Sequence, residues 1–155
     1  MLATYRGPRK VFARLFSIGP REDRALVILM ISCVIVFIAQ WPRLSREAFE
    51  TGQALNPLLG ATLLAWVFIV PLALYVIAFL SQMLMRIIGR KTTGFATRMS
   101  LFWALFASTP WLLLHGLVAG FIGQGPALSS VGFVWLGFFL WFWIAGLSQV
   151  GRNHV

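Results

Sequence analysis

The chain has 155 residues, of which 59% are hydrophobic and only 11% are charged, and its mean hydropathy is +0.85. A soluble domain does not have this composition, so the sequence predicts a protein embedded in a lipid bilayer. Thirteen basic residues against four acidic ones give a net charge of +9, and no Asp or Glu follows Glu50. The last two thirds of the chain therefore lack carboxylate acid–base pairs and carboxylate metal ligands. We expect neither an enzyme nor a bound cofactor.

A basic segment, residues 1–24, precedes the first apolar stretch. Within it, Pro8 favours a helix start and Gly19-Pro20 favours a helix stop, and the apolar and basic side chains between them fall on opposite faces. We predict an interfacial amphipathic helix on the inner leaflet. Its docking residues for anionic phospholipids are Arg9, Lys10, Phe12, Arg14 and Phe16. A plain linker, or a docking helix for the cytoplasmic face of a partner protein, remains open.

Four apolar stretches follow, and each is long enough to cross the bilayer as a helix. They cover residues 25–41, 58–85, 99–122 and 131–150, and residues 151–155 form a short tail. Because backbone amides find no partner in hydrocarbon, such long, unalternating runs are expected to be helical. The predicted fold class is therefore an all-α membrane protein with a bundle of four transmembrane helices.

The basic residues also predict the orientation of the chain. Lys and Arg are concentrated before the first span and between the second and third, whereas the connection between the third and fourth spans has no charge. Positive charge is retained on the cytoplasmic side, so both termini are predicted inside a bacterial inner membrane, in a multi-pass N-in/C-in topology. Since the arginines sit in short segments between spans, they indicate contacts with lipid headgroups and not with nucleic acid.

The connection between the first two spans is predicted to hold one short helix of its own. Pro42 to Asn56 contains the polar residues of this connection, with Ser45 as the N-cap and Gly52 weakening the end. We expect this helix to form a solvated cap over the bundle on the outer side.

Two prolines interrupt predicted spans, Pro71 in the second and Pro110 in the third. Each removes one helical hydrogen bond, so both helices are expected to kink, and the two kinks could face each other. One interpretation is structural, with Ser108 or Thr109 satisfying the freed carbonyl groups. The other is a hinge or a substrate cleft between broken helices.

A seam of small residues lies on the outer half of the third span, at Gly116, Ala119, Gly120 and Gly123. Such a seam lets two helix backbones approach closely, but it does not identify the neighbour. We expect a contact within the chain, against Gly132 and Gly137 of the fourth span, and leave a seam between chains open.

His115 is the only ionisable side chain well inside a span, which makes it the intramembrane polar candidate. The second histidine, His154, lies beyond the opposite end of the bundle, so a haem held by two histidines is not expected. A neutral imidazole bonded to Ser108, to a carbonyl group or to lipid headgroups is the favoured interpretation, and contact with a pigment or another ligand is the alternative. The aromatic fourth span suits lipid or a partner protein, with a quinone or pigment as the alternative.

The succession of these features resembles bacterial members of the YIP1 family. The residues that carry the resemblance are Gln40-Trp41-Pro42, Gly89-Arg90-Lys91 and the stretch from Phe102 to Pro110. The resemblance implies a small polytopic helical bundle without known catalytic residues. Eukaryotic relatives act in membrane trafficking with small GTPases, but this chain has four predicted spans where the family usually has five, and the eukaryotic signatures are absent. Only a role as an integral membrane interaction protein is carried over.

The sequence thus predicts a non-catalytic membrane protein that acts by helix–helix and lipid association, as an accessory or assembly subunit of a larger membrane complex. Its expected partners are anionic phospholipids and other membrane protein subunits. The alternative is a small transporter or channel component with a path between the proline-containing second and third spans.

Overall fold

A computed structural model describes residues 21–89 and 93–150, together with Lys10, Val11 and Arg14. The described residues form four long helices and no strand: α1 (Glu22–Thr51), α2 (Leu55–Ile87), α3 (Gly94–Phe121) and α4 (Pro126–Val150). Each helix is long and apolar enough to cross a membrane, which confirms an all-α, multi-pass membrane protein. Arg9, Phe12 and Phe16 of the predicted lead-in helix lie outside the described residues.

α1 is longer than the apolar run that it contains. It continues through Pro42 and ends before Gly52, which has a φ of 67°. The prediction of a separate outer helix with Ser45 as its N-cap is therefore wrong, because Ser45 lies inside α1. Two ion pairs between successive turns stabilise the helix beyond the proline, Arg43 with Glu47 at 3.1 Å and Arg46 with Glu50 at 2.6 Å.

α2 is continuous but irregular at its centre. A π-helical turn, Ala65–Ile69, joins the segments Leu55–Leu64 and Val70–Ile87. This turn ends two residues before Pro71, whose missing N–H would have bonded the carbonyl group of Val67. The irregularity predicted at Pro71 therefore takes the form of one widened turn inside an unbroken helix.

α3 is the central helix and packs against each of the other three. With α1 it forms a parallel pair in constant register. Four contacts show that register: Glu22 with Arg98, Ala39 with Gly116, Pro42 with Gly120, and Arg46 with Gly123. The two helices therefore run side by side over nearly their whole length. The other two helices, α2 and α4, each pack against α3.

The bundle is packed at one end and open at the other. We call the end that holds the N-termini of α1 and α3 the inner half, and the opposite end the outer half. Eleven of the fourteen buried residues of α3 precede Pro110, in the inner half. By contrast, none of residues 55–69 in α2 is buried, and none of residues 126–141 in α4. An apolar core that includes Leu29, Phe102 and Leu105 fills the inner half.

Candidate interaction surfaces

The predicted seam of small residues contacts α1. A methyl group at Gly116 would lie 1.8 Å from the carbonyl oxygen of Ala39, and one at Gly120 would lie 2.4 Å from Cβ of Pro42. The two backbones thus touch where α3 has no side chain. Ala119, on the same face, is also buried.

The prediction that the seam packs against α4 is wrong. A Cβ atom at Gly137 would meet no described atom within 4 Å, and one at Gly132 would meet the imidazole of His115. The physical reason is that one row of small residues is enough for a close approach. The facing helix α1 contributes only Ala39 and Pro42, so the sequence carries no second seam that would identify the neighbour.

The outer end of the α1–α3 pair forms an open groove. α3 ends at Phe121, and Gly123 lies two residues beyond it. The φ of Gly123, 88°, suits glycine, and its N–H donates to the carbonyl oxygen of Val118 at 3.0 Å. The Arg46 guanidinium covers Gly123, because a Cβ atom there would lie 2.6 Å from the guanidinium carbon. The groove has a volume of about 570 Å³ and is lined by Pro42, Ser45, Arg46, Phe49, Glu50, Gly120 and Phe121.

Sequence analysis missed this groove, although one signal for it was present. The spacing of Arg43 from Glu47 and of Arg46 from Glu50 is four residues, which is the spacing of ion pairs on one continuous helix. The spacing of Arg43 and Glu47 favours a continuous α1 whose charged last turns lie outside the hydrocarbon region.

The inner end of the bundle is basic. Arg21, Arg24 and Arg86 are exposed there, and Lys10 and Arg14 of the lead-in segment are exposed as well. Arg98 pairs with Glu22 and so joins the first turns of α3 and α1. The amide of Gln82, oriented so that its oxygen faces donors, accepts from Arg86 Nη2 at 3.1 Å and from the N–H of Gly94 at 3.3 Å. This end can bind anions at its exposed arginines.

The two prolines do not face each other. Pro71 is buried in the bundle, whereas Pro110 is exposed on its outside. The prediction that two kinks could meet is therefore wrong. The hydrogen bond predicted at Pro110 is present: the carbonyl oxygen of Phe106, which the proline leaves without a donor, accepts from Thr109 Oγ1 at 2.8 Å.

His115 lies half-buried between α3 and α4, beside Gly132. Ser108, its predicted partner, is engaged elsewhere: its hydroxyl donates to the carbonyl oxygen of Leu105 at 2.9 Å and accepts from Trp135 Nε1 at 3.3 Å. A Cβ atom at Gly132 would lie 3.5 Å from His115 Nε2, an ordinary van der Waals distance, so the imidazole packs beside Gly132.

Aromatic rings hold α4 against α3. Trp111 stacks on Phe138 with ring centroids 4.8 Å apart, and Phe142 is fully buried beside Ala104 and Ala107. The opposite face of α4 leaves other large side chains uncovered, among them Phe133 at 75% and Ile144 at 62% exposure. One face of the aromatic helix thus packs within the chain, and the other faces outward.

Comparison with protein families, curated proteins and solved structures finds no match to this chain. The resemblance to the YIP1 family therefore stays a prediction, and the surfaces described above carry the functional argument.

Proposed function

We propose that this chain is a non-catalytic integral protein of the bacterial inner membrane that acts by association, as an accessory or assembly subunit of a larger membrane complex. The observation that carries the proposal is the open outer half. Neither residues 55–69 of α2 nor residues 126–141 of α4 include a buried side chain.

The physical argument rests on how helices associate in lipid. Apolar side chains gain no hydrophobic free energy by leaving acyl chains, so stable contacts depend on close packing and hydrogen bonds. In its outer half α4 makes such contacts on one face only, through Trp135 and Phe138, and no side chain of residues 55–69 or 126–141 is buried. A partner helix packed against them would supply the missing contacts.

The outward face of α4 has a shape that suits such a partner. Gly137 leaves an open position, with no described atom within 4 Å of its absent Cβ apart from its chain neighbours and the backbone of its own helix. Phe133, Leu140, Trp141 and Ile144 surround it and are each at least 38% exposed. A glycine among large side chains forms a hole into which a side chain of another helix can insert.

Site-directed photocrosslinking in the native membrane tests the proposal. A photoreactive residue at Phe133, on the open face of α4, is expected to give one protein adduct of discrete mass, and the same protein is expected to co-purify in mild detergent. Leu80, which is 56% exposed in the inner half of α2, provides the matched control and is expected to react only with lipid. A chain that purifies alone, with no protein adduct from Phe133, would contradict the proposal.

The basic inner end supports a second part of the proposal, the association with anionic phospholipids. Each basic residue near an anionic surface contributes about 1 kcal/mol of binding free energy. Replacement of Arg21 and Arg24 by Gln is expected to lower the amount of phosphatidylglycerol that stays bound to the purified protein. Unchanged retention would exclude these two arginines from lipid binding.

The proposed orientation places this basic end in the cytoplasm, and reporter fusions test it. An enzyme that is active only in the periplasm is expected to stay inactive at either terminus and to become active when inserted at Gly52, between α1 and α2. Activity at one terminus alone would contradict the even number of crossings.

Nothing in the described part of the chain favours the alternative, a transporter or channel component with a path between α2 and α3. The side chains packed between these helices, such as Leu74, Ala78 and Phe102, are apolar and buried. Tyr75 meets Phe102 edge to face, with ring centroids 5.1 Å apart. The second proline, Pro110, is exposed.

A further inference from the structure

We propose that the outer-end groove binds the headgroup of a zwitterionic phospholipid, with its phosphate on Arg46 and its ammonium group on Glu50. This inference does not depend on the proposed association with another subunit, because it concerns a surface formed by α1 and α3 alone.

The depth of the groove corresponds to the headgroup region. Trp41, half-exposed, ends the apolar run of α1, and Arg46 follows five residues later, about 7.5 Å further along the helix. On the other side of the groove, Phe121 lies at the end of α3 and is 80% exposed. A ligand at this position meets apolar surface at Pro42 and Phe121 and, further out, the two charged groups beside the exposed ring of Phe49. Apolar surface next to charged groups suits the headgroup end of a phospholipid.

Arg46 is held in place for such a contact. Its Nε donates to Glu50 Oε1 at 2.6 Å, and its Nη1 lies 3.4 Å from the carbonyl oxygen of Gly120. A guanidinium group has five N–H donors, so Nη2 keeps donors that no described residue takes. The absence of a side chain at Gly123 makes room for the guanidinium, and the hydrogen bonds to Glu50 and to the carbonyl oxygen of Gly120 hold its donors in place. A phosphate group is the oxyanion that such donors suit.

The charge of the groove selects the class of headgroup. Its two charged side chains, Arg46 and Glu50, are of opposite sign, and the Glu50 side chain is 58% exposed. A purely anionic headgroup would meet the Glu50 carboxylate, whereas a phosphate linked to a primary ammonium group places a positive charge next to it. This matches phosphatidylethanolamine better than phosphatidylglycerol, which has no cation, or phosphatidylcholine, whose ammonium group has no N–H to donate.

The chain offers a matched internal control on the same helix. Arg43 and Glu47 form an ion pair of the same type and the same spacing, one turn earlier. Neither of these residues lines the groove, and Arg43 Nε donates to Gln40 Oε1 at 3.0 Å. The two pairs have similar charge and helical context, so a difference between their variants reports the groove itself.

Native mass spectrometry of the full chain in detergent tests the proposal. Phosphatidylethanolamine, phosphatidylglycerol and phosphatidylcholine are added in equal amounts, and the retained lipid is counted for each variant. Glu50→Gln and Arg46→Gln are each expected to lower the retention of phosphatidylethanolamine about tenfold, the factor that corresponds to the loss of one charge-assisted hydrogen bond. Glu47→Gln and Arg43→Gln are expected to leave it unchanged.

The change caused by each variant is the readout, since the basic inner end binds anionic lipid in every variant. Equal retention of phosphatidylethanolamine by Glu50→Gln and Glu47→Gln would overturn the proposal. So would a Glu50→Gln variant that loses phosphatidylcholine to the same extent as phosphatidylethanolamine. Arg46→Gln could also loosen the α1–α3 contact, so Glu50→Gln, whose described polar partner is Arg46, decides the outcome. No partner subunit takes part in this measurement, so its failure would leave the proposed association standing.

Discussion

The inner and outer halves of this bundle are built from the same four apolar helices, yet they are held together differently. In the inner half, Phe102 and Phe142 are fully buried among side chains from neighbouring helices. In the outer half, the backbone of α3 approaches α1 closely at Gly116 and Gly120. The comparison teaches that an apolar composition makes helices insert into a bilayer but does not make them pack, because acyl chains solvate the same side chains equally well.

Small hydroxyl side chains contribute to the dense inner half. Ser32, Ser100, Ser108 and Thr109 are buried, and each donates to a backbone carbonyl group three or four residues earlier. These side chains are short, and their polar atoms are satisfied within their own helix. Neighbouring helices can therefore approach them without leaving an unpaired polar group in the core.

The largest expected effect tests whether the inner half supplies most of the stability. Phe102→Ala removes a fully buried ring from the contact of α2 with α3 and is expected to lower the free energy of unfolding by about 3 kcal/mol. Phe133→Ala, at a side chain that is 75% exposed, is expected to change it by less than about 0.5 kcal/mol. Equilibrium unfolding in mixed micelles of mild detergent and dodecyl sulfate measures both values. Similar losses for the two variants would show that the two halves are equally packed.

The second largest effect on the unfolding free energy is expected at the glycine seam of the outer half. Gly116→Ala places a methyl group against the carbonyl oxygen of Ala39 and is expected to cost about 1–3 kcal/mol of unfolding free energy. Gly137→Ala adds the same methyl group to open space and is expected to be neutral or slightly stabilising, since alanine favours a helix more than glycine. The same unfolding assay applies. A loss at Gly137 that equals the loss at Gly116 would point to helix geometry and not to the α1–α3 contact.

A smaller effect on the unfolding free energy is expected near Pro110, at the boundary between the two halves. Thr109→Val keeps the shape of the side chain but removes the hydrogen bond to the freed carbonyl oxygen of Phe106, at an expected cost of about 1 kcal/mol. Ser81→Ala is the control, because the Ser81 hydroxyl also bonds a carbonyl group one turn earlier, that of Ile77, but is exposed and has no proline beside it. Equal costs for the two variants would show that the proline carbonyl needs no substitute donor.

The sequence predicts the four membrane-spanning helices but not the way in which α1 ends. The four spans follow from hydropathy, because each run is long enough to cross the bilayer and has no alternation. The continuation of α1 past Pro42 was missed, since a proline followed by serine and charges is also typical of a new helix start. The four-residue spacing of Arg43 and Glu47, which lie on either side of Ser45, was the signal against that interpretation.

The neighbour of the glycine seam could not be predicted for a different reason. Gly116 and Gly120 show that something approaches closely, but any helix with modest side chains can do so, and α1 does it with Ala39 and Pro42. The openness of the outer half is equally hidden from sequence. Phe133, which faces outward, and Phe142, which is buried, lie in the same aromatic run.

The smallest expected effect on the unfolding free energy concerns the ion pair at the inner end of the bundle. Glu22 and Arg98 connect the first turns of α1 and α3, and both side chains are partly exposed. Glu22→Gln is expected to lower the unfolding free energy by about 0.5 kcal/mol at low salt and by less as salt screens the pair. Asp23→Asn removes an acid from the same first turn, where both carboxylates favour the helix N-terminus equally, so the difference between the variants isolates the pair with Arg98. If that difference persists in high salt, a hydrogen bond between Arg98 and Glu22, and not charge alone, links α1 to α3. A difference of zero would mean that the apolar core holds the two helices together without this pair.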